Sequence, residues 1–371
     1  MIMKAILLIL ITLTLFSCLE NDISLTDSSI KYGASELILG EFESNGDFIN
    51  SYKNPALVEA SEVYNNIDNY LLLDIRSENE FALGRIRTSI NISADSLIIF
   101  FQNINPYEFS KIIILSSTGQ HAAFCTSILR LLNYDNVFSM NFGMAYWNSF
   151  FSDEWLNALR TNLFWFIHDY YPKQKFSSLP FLPVDNVGGT DNQILNRARN
   201  LLSMEFDELC LDDQENELTI NFTAIDTNYY TIVPDARGNP MKDLSDDVSL
   251  ICYSNISLYY LNIEGIPFIS DVHHSHPRET ILYLNNEMNQ SDIRSGTFLQ
   301  TLPSSKKYFI YSYSGQRSAY LTAYLRMLGY EAKSMVFGAC NILYSSMLNN
   351  PNVNHFAFKP ELINSFEYES N

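Results

Sequence analysis

Two stretches of the chain carry the same succession of apolar and polar positions. In the first, the run Ile112-Ile113-Ile114-Leu115 gives way to the polar Ser116-Ser117-Thr118-Gly119-Gln120-His121. Residues 122–132 are amphipathic, and Val137-Phe138-Ser139-Met140 and Gly143-Met144-Ala145-Tyr146-Trp147 follow. The second stretch repeats the order with residues 308–311, Ser312-Tyr313-Ser314-Gly315-Gln316-Arg317, residues 318–328, residues 332–336 and Gly338-Ala339-Cys340. A short continuous apolar run reads as a strand buried on both faces, and a 3.6-residue period reads as a helix. Each stretch therefore predicts strand, tight polar loop, helix, strand and glycine turn. Between residues 111–134 and 307–330 the offset is constant at 196, and 11 of the 24 positions are identical, among them Ser116/Ser312, Gly119/Gly315, Gln120/Gln316 and Arg130/Arg326. This is an internal duplication at domain scale. Apolar strands alternating with amphipathic helices predict two α/β domains, each with a mostly parallel central sheet, in which residues 112–115 and 309–311 are central strands.

A short loop between the end of a buried strand and the start of a helix aims several backbone N–H groups at one point, where the helix dipole adds positive potential. Such a cradle stabilises an anion, or a nucleophile that becomes one. The order strand, C-x-x-G-x-R, helix, G-x-x-x-W resembles the rhodanese (sulfurtransferase) domain. Upstream, Leu71-Leu72-Leu73-Asp74-Ile75-Arg76, Glu80-Phe81, Gly84-Arg85-Ile86 and Ser89-Ile90-Asn91-Ile92 are similar to that family's L-x-D-V-R, E-F, G-H-I and A-x-N-I signatures. The resemblance spans roughly residues 57–151 and implies a loop cysteine carrying a persulfide. Here the residue at that position is Ser116 in the first copy and Ser312 in the second. A thiol can be driven to thiolate by a helix N-terminus, whereas a serine hydroxyl carries no persulfide.

The resemblance therefore implies two rhodanese-like cradles without the usual sulfur transfer, formed by Ser116, Gly119, Gln120 and His121 and by Ser312, Gly315, Gln316 and Arg317, with Asp74, Arg76, Gly84 and Arg85 as further signature residues. The expected function is a binding or scaffold module for a small anion, a sulfur species or a protein partner. Two enzyme readings stand beside it. One is a sulfurtransferase recruiting Cys340, or Cys125; the other is a hydrolase using Ser116 with His121 as its base. Arg317 at the position of His121 argues against a mechanism common to both loops, and Cys125 lies a full turn into its helix.

The chain opens with Lys4, an apolar run over residues 5–16, then Ser17 and Cys18, which is the order of an export signal. The run is too short to span a bilayer. Leu15-Phe16-Ser17-Cys18 resembles a bacterial lipobox, which implies a lipid-modified Cys18, an envelope location and a polar tether behind it. The expected organisation is signal peptide 1–17, tether 18–35, first domain 36–171, linker 172–190 and degenerate second domain 191–371. The net charge of −19 argues against nucleic acid and against an electrostatic hold on anionic lipid. Cys125, Cys210, Cys252 and Cys340 could form two disulfides, and none has the spacing of a metal knuckle or redox pair. No cofactor or metal is expected.

Local patterns complete the reading. Leu37-Ile38-Leu39 and Phe42 predict a short strand before the Asn45-Gly46 turn, and residues 57–58 and 60–64 a fresh start and a helix. Residues 154–171 predict a helix, as do residues 191–204, whereas residues 219–225 and 229–233 have strand composition. The second domain's counterpart of the Leu71 strand is either residues 258–263, placing Asn262 where Asp74 stands, or residues 267–272, placing Asp271 there. His273, His274 and His276 crowd too closely for a closed metal site and predict a solvated loop.

Overall fold

A computed structural model describes residues 33–161, 166–167, 169–184, 189–210, 214–261, 276–285 and 291–371. Cys18, the proposed signal and residues 18–32 of the proposed tether lie outside the described residues, as do Asn262, Asp271, His273 and His274, whereas Ala34 and Ser35, placed in the tether, begin the first helix and are buried.

The first half is preceded by helix α1 (Ala34–Ser44) and contains strands β1 (Leu57–Val58), β2 (Leu71–Asp74), β3 (Ile90–Asn91), β4 (Ile112–Leu115) and β5 (Val137–Met140). They form one sheet in the order β1-β5-β4-β2-β3, and every pairing is parallel. Helices α2 (Ala60–Asn65), α3 (Glu78–Leu83), α4 (Leu97–Asn103), α5 (Gln120–Leu131) and α6 (Asp153–Ala158) connect or follow the strands. The four residues of β4 are fully buried: Ile112 and Ile114 point into one apolar cluster and Ile113 and Leu115 into the other. Each such side chain contributes about 1.5–3 kcal/mol by leaving water, which is why β4 lies at the centre of the sheet.

The second half contains α7 (Gly189–Leu202), β7 (Thr219–Ile220), α8 (Phe222–Asn228), β10 (Val248–Ser254), α9 (Ile256–Tyr259), β12 (Thr280–Leu284), β13 (Lys307–Tyr311), α10 (Gln316–Met327), β14 (Glu331–Met335) and α11 (Tyr344–Leu348). Its five-stranded sheet runs β12-β10-β13-β14-β7, again all parallel. Matching strands by position gives β7 for β1, β10 for β2, β12 for β3, β13 for β4 and β14 for β5, so both sheets have one topology. Two small antiparallel pairs stand outside them. One is β8 (Tyr230–Pro234) with β9 (Pro240–Leu244); the other is β6 (Phe166–Ile167) with β11 (His276–Pro277).

The mixed α/β class and the parallel sheets agree with the expectation from the strand and helix pattern. Several local expectations are corrected. The counterpart of the Leu71 strand is β10, not residues 258–263 or 267–272. Asp74 pairs with Leu115 and Cys252 with Tyr311, so Cys252 stands where Asp74 does. Val248–Ser254 is fully buried and keeps none of the signature polar residues, so no motif marks it. Leu37, Ile38, Leu39 and Phe42 belong to helix α1, which buries Ile38, Leu39 and Phe42 on one face. The helix expected over 154–171 ends at Ala158. Residues 222–225, read as strand, start α8, whose N-cap Asn221 accepts a hydrogen bond from Thr223 N. His276 is buried in β11 with its ring stacked on Tyr259 at 4.0 Å, not solvated.

The halves meet along α5 and α10. Ser127 Oγ donates to Tyr320 O at 2.9 Å, and the Tyr320 hydroxyl lies 3.0 Å from both Ser139 Oγ and Ala56 O. Of the twelve residues of α10 only Arg317 and Arg326 keep appreciable exposure. The helix is enclosed by its own sheet on one side and α5 on the other, and this explains why it buries nearly all round. The C-terminal residues return to the first half: Asn364 N donates to Tyr146 O, Trp147 Nε1 to Glu367 O at 2.8 Å, and Arg85 and Glu369 exchange backbone hydrogen bonds.

Candidate functional site

Each loop is held back to back with its glycine turn. Gly119 and Gly315, which precede α5 and α10, have φ of 85° and 84°. Gly143 has φ of 59°, and a Cβ there would lie 2.4 Å from both Gly119 N and Ser116 O; a Cβ at Gly338 would lie 2.4 Å from Ser312 O and 2.6 Å from Gly315 N. Only glycine fits either turn. Backbone hydrogen bonds close the contact, from Met144 N to Ser116 O at 3.0 Å and from Ala339 N to Ser312 O at 2.8 Å.

The two glutamines reach across the pseudo-symmetric interface with their amide oxygens. Gln120 Oε1 accepts from Phe337 N at 2.6 Å, and Gln316 Oε1 accepts from Phe142 N at 3.1 Å. Phe142 and Phe337 are the left-handed residues that precede Gly143 and Gly338. Their N–H groups face the opposite half, and the exchanged amides satisfy them. Gln316 Nε2 also donates to Gly119 O at 3.3 Å, and Gln120 Nε2 to Thr118 Oγ1 at 2.9 Å.

The cradle of the first loop holds a carboxylate from the same chain. Glu208 Oε1 accepts from Ser116 Oγ at 2.7 Å, Thr118 Oγ1 at 2.9 Å and His121 N at 2.8 Å; its Oε2 accepts from Thr118 N at 3.2 Å. Ser116 Oγ in turn accepts from Gly119 N and Ala122 N, each at 3.2 Å. The converging N–H groups and dipole expected from the strand-loop-helix order are thus present, and an anion is seated on them. The His121 ring stacks parallel to Phe206 at 5.1 Å, and burial lowers its pKa to about 4. The Ser116 proton is directed to Glu208, and His121 contributes its backbone N–H.

Two cavities, of about 250 and 270 Å3, open beside this loop and share Arg76, Glu80, Ser117 and Glu154 in their walls. The charge of Arg76 is consumed within the fold: Nε and Nη2 grip both oxygens of Asp74, and Nη2 also donates to Gly84 O at 2.8 Å. Both side chains are almost wholly buried. Arg85 lies at the edge, donating to Asn371 Oδ1 and standing 5.2 Å from the Phe81 ring. The mouth is consequently acidic. Burial of Glu80 opposes its ionisation, but hydrogen bonds from Ser77 and Ser117 outweigh it and hold the pKa below the usual carboxylate value. Glu154 is pushed up to about 7 by burial and by its neighbours Glu208 and Glu80.

The second loop is organised differently. Ser312 Oγ accepts from Ser318 N at 3.0 Å, and Ser318 Oγ donates to Gly315 O at 2.8 Å. Tyr313 stacks on Phe356 at 4.1 Å, its hydroxyl accepts from Asn255 N, and the Arg317 guanidinium lies 5.2 Å from the Phe356 ring. Ser312 is fully buried.

The four described cysteines, Cys125, Cys210, Cys252 and Cys340, are buried and free, not joined in two disulfides. Burial pushes the Cys340 thiol up to about 12, and Cys125 is shifted in the same direction by burial and the Glu208 charge. Cys340 N is bonded to Tyr313 O, behind the loop. Among the described residues no group of three or more histidine, cysteine or acidic side chains could hold a metal ion, and no helix is long and apolar enough to cross a membrane.

Residues 59–150 match the family model for the rhodanese-like domain, and this segment of the chain is a rhodanese-like domain. Similar solved structures include a rhodanese-related protein from Thermoplasma volcanium, at 26% identity over 24% of this chain and 84% of that one, TM-score 0.22. Another is a rhodanese-like domain protein from Staphylococcus aureus, at 21% identity over 24% of this chain and 86% of that one, TM-score 0.21. A thiosulfate sulfurtransferase from Pseudomonas aeruginosa aligns at 13% identity over 83% of this chain and 68% of that one, TM-score 0.24. No curated protein matches the chain.

The residues read from the sequence as the two loops do lie at the two strand-to-helix junctions. Glu208 had not been anticipated: it is 92 positions from Ser116, in a segment without repeat or motif. The cross-interface role of Gln120 and Gln316 was also missed. Its one signal was that both glutamines are identical between the copies while the residues after them, His121 and Arg317, differ.

Proposed function

We propose that the protein is a tandem rhodanese-like binding module that does not transfer sulfur, held at a bacterial envelope membrane through an acylated Cys18. The observation that carries this reading is the hydroxyl of Ser116, seated where the nucleophilic thiol belongs and hydrogen-bonded to Glu208. A serine cannot carry a persulfide. The repeated sheet order supports a second rhodanese-like unit, with Ser312 at the corresponding place. Rescue by another cysteine is disfavoured, since Cys340 and Cys125 are buried and hard to ionise. The Ser116/His121 hydrolase reading is disfavoured too, because Ser116 donates to a carboxylate while the His121 ring is packed on Phe206.

The test is cyanide-dependent sulfur transfer from thiosulfate by the purified protein. No turnover is expected, with Cys340→Ala indistinguishable from wild type; robust turnover abolished by Cys340→Ala would hand the protein to the sulfurtransferases. Ser116→Cys is expected to gain little persulfide while the Glu208 charge opposes a thiolate at that position, and Ser312→Cys little because position 312 is fully buried. Membrane partitioning tests the anchor: Cys18→Ala is expected to abolish acylation and release the processed protein, and unchanged partitioning would refute the lipid attachment.

A further inference from the structure

Glu208 approaches the first loop from a different part of the chain, between α7 and β7, and fills the cradle with four hydrogen bonds. Its segment is fixed on both sides. Phe206 is buried against His121 and Phe124, Asp207 Oδ1 accepts from Leu209 N, and Cys210 Sγ donates to Gln214 O. Neither the duplication nor the sheet requires a carboxylate here, since the second loop satisfies its serine from its own helix. The ligand is also seated against electrostatic opposition, with Glu80 and Glu154 on the same cavity wall.

We propose that Glu208 is a tethered ligand that holds the first cradle shut, and that the cradle is a masked site for a free monocarboxylate. This rests on the binding-module reading and names the chemistry the site takes. Two hydroxyls and two backbone N–H groups converge on the two oxygens of one planar carboxylate, which is the recognition a free carboxylate would meet. The acidic wall sets the selectivity. A singly charged ligand restores the charge that Glu208 supplies, whereas a dianion adds a second negative charge facing Glu80 and Glu154. An attached ligand acts at an effective concentration on the order of millimolar or above, so it outcompetes weak free ligands until the segment moves away. Opening the cradle requires Phe206 to leave His121, which makes the 206–210 segment the closing element.

The experiment is a titration of the full-length protein with sodium acetate, and separately with sodium sulfate at matched ionic strength, following the amide resonances of Thr118 and His121. Glu208→Ala is expected to show saturable shifts with acetate at a midpoint at least about tenfold below that of the wild type, and little response to sulfate. Glu208→Gln keeps the side-chain volume and guards against collapse of the segment; it is expected to fall between the two. Equal midpoints in wild type and both variants, with unchanged Ser312 and Gly315 resonances reporting an intact fold, would overturn the proposal. Equal responses to acetate and sulfate in Glu208→Ala would overturn the carboxylate selectivity. Thiosulfate turnover by the wild type would defeat the binding-module reading on its own, and it leaves the acetate comparison readable.

Discussion

The two strand-to-helix loops share a frame and differ in what fills it. Both begin with a buried serine, both lie against a glycine turn that admits no side chain, and each lends a glutamine to the other half. Around that frame the first loop keeps Asp74 and Arg76, two cavities and a bound carboxylate. The second has Cys252 in the place of Asp74, and Tyr313, next to its serine, stacked on Phe356. The difference teaches that duplication preserved what the backbone needs and released what a ligand needs. Glycines and glutamines hold the turns and the interface, and they recur; the buried Asp74–Arg76 pair braces the first half alone, and it does not.

The largest predicted asymmetry lies in the second strand of each sheet. Asp74→Ala leaves a buried, unpaired Arg76, which costs about 3–5 kcal/mol, whereas Cys252→Ala removes a small apolar group and costs about 1 kcal/mol. Urea denaturation of the two variants measures the contrast, and equal losses would break it. Next come the turns, where the comparison predicts equality. Gly143→Ala and Gly338→Ala each force a Cβ onto backbone atoms 2.4 Å away at positive φ. Each is expected to destabilise by roughly 3 kcal/mol, and a tolerant Gly338→Ala would show that the second turn has relaxed.

Smaller effects are expected at the interface. Gln120→Ala and Gln316→Ala each strand a backbone N–H of the opposite half, at about 1–3 kcal/mol. Gln120→Ala should additionally disturb the Thr118 and His121 amides, because Gln120 steadies the Thr118 hydroxyl that holds Glu208. The smallest concerns pH. Glu154 has a folded pKa of about 7 against an ordinary 4.5, so the folded state binds its proton more tightly than the unfolded state. Its contribution is fully present below pH 4.5 and is lost as pH rises through about 7. After solvent screening the loss is about 1–2 kcal/mol. Thermal melts of wild type and Glu154→Gln between pH 4.5 and 8 should show a decline in the former that is reduced in the latter.

Much of this frame was legible from periodicity. Ile112–Leu115 announced a strand buried on both faces, and the constant offset of 196 pointed to its counterpart. What escaped the sequence did so for physical reasons. Val248–Ser254 is buried throughout, so it shows no alternation and had lost the aspartate by which its equivalent was recognised. Leu37, Ile38 and Leu39 form too short an apolar run to separate strand from helix, and the burial of Ile38, Leu39 and Phe42 at helical spacing is what the folded chain adds. Glu208 was invisible because a carboxylate in an unpatterned connection is ordinary until the fold brings it over the loop.

The central claim is that Glu208 occupies the first cradle with four hydrogen bonds. Iodoacetamide alkylation of Ser116→Cys and Ser116→Cys/Glu208→Ala, followed against pH with Cys125, Cys210, Cys252 and Cys340 intact and buried, tests it directly. With Glu208 present the thiol at position 116 should react slowly near neutral pH. Removing Glu208 should raise the rate at least about tenfold and shift its pH midpoint down, since the helix N-terminus then acts unopposed on the thiolate. Superimposable profiles for the single and double variants at position 116 would contradict the account.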